Sequence, residues 1–135
     1  MLKAKKILIN EFHLKDLGYD FMGYSLQKDD IFTFHHLIVQ AKRGGAASMD
    51  NGAILCGKTS HPYIHLVEKI DRKTFMEITK EILEMKRKMS LDIINLKNIN
   101  ELLCMFEEKY SDEENDVGAL IIKPEYKIRI FNTQK

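Results

Sequence analysis

Three short segments decide how this chain is read: Phe32-Thr33-Phe34-His35-His36-Leu37-Ile38-Val39, then Asn51-Gly52-Ala53-Ile54-Leu55-Cys56, then Ser60-His61-Pro62-Tyr63-Ile64-His65. The first is rich in β-branched and aromatic residues, which is the composition of a strand. Before it, residues 21 to 26 have similar character, and the polar run Gln27-Lys28-Asp29-Asp30 separates the two. That pattern predicts an antiparallel hairpin of 21–26 against 31–39. A loop follows, in which Gly44 and Gly45 supply backbone freedom. The short apolar run 53–56 comes next, and a helix opens near Ser60. Thr59 and Ser60 are good caps there, and Pro62 is tolerated in a first turn.

Four of the five histidines lie between positions 35 and 65. Two are adjacent on or at the end of a strand, and two are spaced i, i+4 on the helix. With His61 at zero on a helical wheel, His65 falls at roughly 40° and Tyr63, Leu66, Val67 and Ile70 at roughly 140° to 240°. One face of this helix can dock into a core while the other offers two imidazoles to a shared ion. Imidazole is a common ligand for zinc, nickel, copper and iron. A lone HxxxH pair is more often chance than a site. The preceding His-His pair and the Asn51 between the two pairs raise its weight.

Working outward, residues 3 to 17 carry Ile7, Leu8, Phe12 and Leu14 at roughly helical spacing and predict a short N-terminal helix. Phe75, Ile78, Ile82, Met85 and Met89 form the apolar stripe of another helix. Asn98 with Glu101 resembles a capping box, which places a third helix over residues 98–110. Residues 107–116 contain six acids and one Lys and read as a solvated loop. Residues 119–131 have strand composition broken by Pro124, and fit a hairpin, an edge pair or an ordered tail.

The length of 135 residues fits one domain. With 21 Lys and Arg against 20 Asp and Glu, the net charge of +1 gives no general basic field for coating nucleic acid. Any phosphate contact must be local. Lys42 and Arg43, beside the paired glycines, are candidates for it. Lys86-Arg87-Lys88 reads as cations at a helix end, and His13 as a surface residue. Cys56 and Cys104 form no CxxC pair and no disulfide framework, which fits a reducing cytoplasm. No run approaches a membrane span, and the N-terminus lacks the apolar core of a signal peptide.

Over about residues 20–70, the order of these motifs resembles the HNH (ββα-metal, His-Me finger) endonuclease superfamily, and is most like the colicin-type DNases. The resemblance implies a ββα-metal core, an antiparallel hairpin plus a metal-binding helix, and with the helices expected C-terminal to it packed against that core the fold class is α+β. In that scheme residues 1–135 form a single domain. The motif occupies 20–70 and a helical extension 72–110, followed by an acidic loop and a C-terminal β-like segment in 111–135. The resemblance also implies roles. His35, His61 and His65 would hold one divalent metal ion (Mg, Mn, Ni or Zn). His36 would be the general base, and Asn51 would orient His36. The implied partner is nucleic acid, with DNA favoured, and no membrane; the oligomeric state is open.

Phosphodiester chemistry suits this division. The phosphate anion repels hydroxide and its 3′ oxygen leaves poorly, which calls for charge neutralisation beside a separate base. The two histidines could converge only where the strand ends or bulges, so an irregular backbone is expected at positions 35 and 36. The CxxC pairs that many members carry are absent here, and Cys56 reads as buried packing. The rival reading is a non-catalytic nucleic-acid- or protein-binding module. In it, His35 or His36 with Cys56, His61 and His65 would close a four-ligand structural zinc site.

Overall fold

A computed structural model describes residues 2–37, 51–111 and 121–131. Ile38, Val39, Lys42, Arg43 and the two glycines lie outside the described residues, as does most of the acidic run.

The expected N-terminal helix is present in two pieces, α1 (Leu2–Glu11) and α2 (Leu14–Leu17). His13 separates them in the left-handed region at φ 53°, and Gly18 ends α2 at φ 78°. Ala4, Leu8, Phe12 and Leu14 are buried against the rest of the core.

Residues 21–26 are not a strand. The Asp20 carboxylate accepts the backbone N–H of Met22 at 2.9 Å and of Tyr24 at 3.0 Å. Those are donors a strand would need, and a short acidic side chain competes for them well. Gly23 at φ +86° turns the chain, so only an isolated bridge, Tyr19 to Ser25, remains.

The strand β1 (Phe32–His36) therefore pairs with β2 (Gly52–Cys56) and not with its sequence neighbour. The two run antiparallel with Phe32 opposite Cys56, Phe34 opposite Ile54, His35 opposite Ala53 and His36 opposite Gly52. Every residue of β2 is buried. α1 and the helix α3 (Ser60–Ile70) both pack on β2, and its outer edge is met by Phe21, whose N–H donates to the Ile54 carbonyl at 3.2 Å. The run is apolar on both faces for that reason. Asp20 also accepts the Cys56 N–H at 2.7 Å and bonds the Ser60 hydroxyl. One carboxylate thus joins the 20–24 turn, the end of β2 and the start of the next helix.

That helix, α3 (Ser60–Ile70), opens where expected, after Thr59 and with Pro62 in its first turn. Tyr63, Ile64 and Val67 are buried, as the wheel requires. α4 (Arg72–Lys88) follows after Asp71, whose carboxylate caps it by accepting from the Thr74 N–H at 3.2 Å. Phe75, Ile78, Ile82 and Met85 form its buried stripe. Met89 lies beyond it, in the left-handed cap position at φ 55°, and is half exposed.

α5 (Ile93–Tyr110) starts earlier than its sequence predicts. Asp92 is its cap, accepting from Ile94 at 2.8 Å. Asn98 instead donates to Glu81 of α4 at 2.9 Å. Among the described C-terminal residues there is a 3-10 turn (Pro124–Lys127) and no strand. The segment is an ordered tail. The Ile130 N–H donates to Gly23 at 2.9 Å, and Arg129 is buried against Glu107 of α5 at 2.6 Å. The architecture is mixed α+β, with a two-stranded antiparallel ribbon among helices. No described helix is long and apolar enough to cross a membrane.

Candidate metal centre

Side chains alternate along a strand, so β1 presents Thr33 and His35 on one face and Phe32, Phe34 and His36 on the other. The i, i+4 spacing on α3 brings His61 and His65 to one side of that helix. The two faces meet. The His35 ring lies 5.3 Å from that of His61 and 5.3 Å from that of His65, and the helical pair are 5.0 Å apart. One nitrogen from each of the three falls within 4.8 Å of the other two. Tetrahedral bonds of about 2.1 Å place ligand atoms about 3.4 Å apart, so small side-chain rotations close the set on an ion.

The three rings differ in setting. His35 is only 2% exposed, and neither of its ring nitrogens has a hydrogen-bond partner. Burial, with smaller contributions from His61, His65 and His36, lowers its pKa to about 3. Burial likewise lowers His61 to about 4, with His65 and His36 adding to the shift. Both are therefore neutral at neutral pH, the form that binds metal. His65 stands at the mouth with its side chain 53% exposed, its Nδ1 3.6 Å from Glu68. Arg72 holds the other Glu68 oxygen at 3.5 Å. The His61 Nδ1 lies 2.6 Å from the Thr33 hydroxyl. Of the three rings His35 is the buried one and His65 the exposed one.

Comparison with family models, with curated proteins and with solved structures gives no match.

His36 does not join the three rings. It is half-buried at the last residue of β1, edge-on to Phe34 with ring centroids 5.1 Å apart and planes at 73°. The expected backbone irregularity is absent, because His35 and His36 both sit in unbroken register. In a regular ladder the two side chains leave opposite faces of the strand. The ladder stops just beyond, where the Leu37 N–H donates to the Asn51 carbonyl at 2.8 Å. Asn51 therefore lies at the same end of the ribbon as His36, next to Gly52. The Phe34 ring covers Gly52 so closely that any Cβ there would overlap it. The Lys86 ammonium donates to the Gly52 carbonyl.

Cys56 is buried on the face of the ribbon opposite His35, and its thiol donates to the Tyr24 carbonyl at 3.4 Å. Burial raises its pKa, first of all, and Asp20 adds to that. Among the described residues the cluster consists of His35, His61 and His65, so the four-ligand zinc shell lacks its sulfur. Sequence reasoning missed Thr33, Glu68 and Lys86. The first two carried a signal: Thr33 is two residues before His35 on a strand, hence on the same face. Glu68 is i+3 from His65. Lys86 had none, because its partner is a backbone carbonyl 34 residues away.

Proposed function

We propose that the chain is a metal-dependent endonuclease of the HNH (ββα-metal) type, hydrolysing phosphodiester bonds in DNA. The observation that carries this reading is the buried, unpartnered His35 imidazole facing the two imidazoles of α3. A neutral imidazole without a partner costs about 1–3 kcal/mol on burial, and a ligand bond relieves it. The order strand with His-His, strand opened by Asn51, helix with His61 and His65 supports the family assignment.

His35, His61 and His65 are the ligands. Their neutrality leaves the full charge of the ion directed at substrate, and the exposed side at His65 admits a phosphate. A divalent ion at such a site supplies charge neutralisation at the phosphate and at the leaving 3′ oxygen. His36 is the base that takes the proton from the attacking water. To reach a phosphate on the cluster the ring must swing round the strand end, away from its contact with Phe34. Asn51, across the same end, orients it. Lys42 and Arg43 remain candidates for holding the flanking phosphates.

A plasmid-nicking assay of wild type and His36→Ala in magnesium, manganese, nickel and zinc is the test. Wild type nicks in at least one metal. The variant binds that metal as tightly and loses cleavage by about 100-fold or more. One observation favours the non-catalytic alternative, a metal-bearing binding domain: His36 leaves the face of β1 opposite His35 and packs on Phe34. Equal cleavage by the variant removes His36 as base, and no cleavage of any nucleic acid by wild type leaves the binding module.

A further inference from the structure

We infer that Thr33 is a positioning residue for the metal centre, fixing His61 as the Nδ1-protonated tautomer so that its Nε2 lone pair faces the ion. The inference rests on the metal-centre reading above. It follows from counting protons at one oxygen.

The Thr33 Oγ1 lies 2.8 Å from the Leu55 carbonyl oxygen and 2.6 Å from the His61 Nδ1. A carbonyl has no proton, and two bare oxygens at 2.8 Å repel. The hydroxyl proton must therefore lie between Thr33 and Leu55. A hydroxyl has one proton only. Its remaining lone pair faces the His61 Nδ1, which must bring the proton for the second bond. A neutral imidazole carries one N–H, so Nε2 is left as a bare acceptor.

The backbone makes this arrangement robust. Thr33 and Leu55 are directly opposed in the ladder, so the acceptor carbonyl is fixed by the sheet itself. Thr33 and His35 share a strand face, so the residue that orients one ligand is two positions from another ligand. His65 is handled differently, by a carboxylate on its own helix. Groups that orient metal-bound histidines in this way typically change affinity 10–100-fold when removed.

Two measurements test the assignment. In metal-free protein, long-range proton–nitrogen NMR reads the His61 tautomer directly. The Nδ1-protonated form is expected in wild type and in Thr33→Ser, and a mixed population in Thr33→Val. Zinc titration by calorimetry then gives affinities. Thr33→Val is expected to bind about 10–100-fold more weakly than wild type, and Thr33→Ser within a few-fold of it. An Nε2-protonated His61 in wild type overturns the inference. So does zinc binding by Thr33→Val equal to wild type. Wild type that binds no zinc, or binds it equally well as His61→Ala, overturns the metal centre itself. That outcome is distinct, because the NMR readout is taken without metal.

Discussion

His35 has both ring nitrogens buried without partners, and its pKa is lowered to about 3 from an ordinary 6.5. The sign of the pH dependence follows. A histidine whose folded pKa lies below its unfolded one takes up its proton on unfolding. The metal-free protein is then at full stability above about pH 6.5 and loses it as pH falls from there toward 3. His61, lowered to about 4, acts in the same direction. His35→Leu should remove much of this loss. In chelator, it is expected to unfold at higher urea than wild type, by about 1–3 kcal/mol, with the gap widening between pH 7 and pH 5. It should bind no metal. A variant less stable than wild type at pH 5 would show that the imidazole has a partner after all. The His61 and His65 pair was legible in the sequence because its spacing alone puts both rings on one helix face, whereas His35 entered through the family resemblance. Adjacent strand residues converge only through a bulge, and the regular pairing with Ala53 and Gly52 supplies none, so His36 leaves the face opposite His35.

Asp20 decides which segments pair at the level of elements. Its carboxylate takes backbone donors from Met22, Tyr24 and Cys56 and bonds the Ser60 hydroxyl. With those bonds made, 21–26 is a turn, and the strand place beside β1 falls to 52–56. Asp20→Ala leaves three buried N–H groups without this acceptor. The expected loss is about 2–4 kcal/mol in urea unfolding, with a matching drop in metal affinity because both β2 and α3 lose their common anchor. A loss under about 0.5 kcal/mol, the scale of an ordinary surface change, would show that the turn holds itself. The helices were readable from their apolar periods, since α3 and α4 carry clean stripes. The strand partner was not, because 21–26 and 53–56 have similar composition and the choice depends on a side chain 36 residues from Cys56. The start of α5 was missed for a related reason. Asp92 and Asn98 are both plausible caps, and only the contact of Asn98 with Glu81 shows that it is mid-helix.

Across the molecule, α3 is gripped from two sides. One face presents His61 and His65 to His35. On the other, the Tyr63 hydroxyl donates to Glu107 at 2.7 Å, and Arg129 closes on the same carboxylate at 2.6 Å. Arg129 also donates to Asn100 at 2.8 Å and to the Tyr126 carbonyl at 3.0 Å, and the Tyr24 hydroxyl bonds that same carbonyl. The C-terminal segment thus links the 20–24 turn, α3 and α5 through one buried ion pair. Removing only one partner of such a pair strands the other. Arg129→Met should therefore cost about 3–5 kcal/mol, whereas Arg129→Met with Glu107→Leu recovers only part of it, because the apolar pair needs no compensation but the buried Tyr63 hydroxyl loses its acceptor. On the proposed reading a metal ion would bind at the opposite face. An ion at 100 times its Kd adds about 2.7 kcal/mol in wild type, and should add the same to the double variant if its metal site is undisturbed. Urea unfolding of the four proteins (wild type, each single variant, and the double), with zinc and with chelator, measures both effects. A double variant no more stable than Arg129→Met would mean that the segment acts through packing and not through the ion pair. Loss of the zinc increment in the double variant would mean that the two faces of α3 are coupled, with the tail setting the spacing of the histidines through Tyr63.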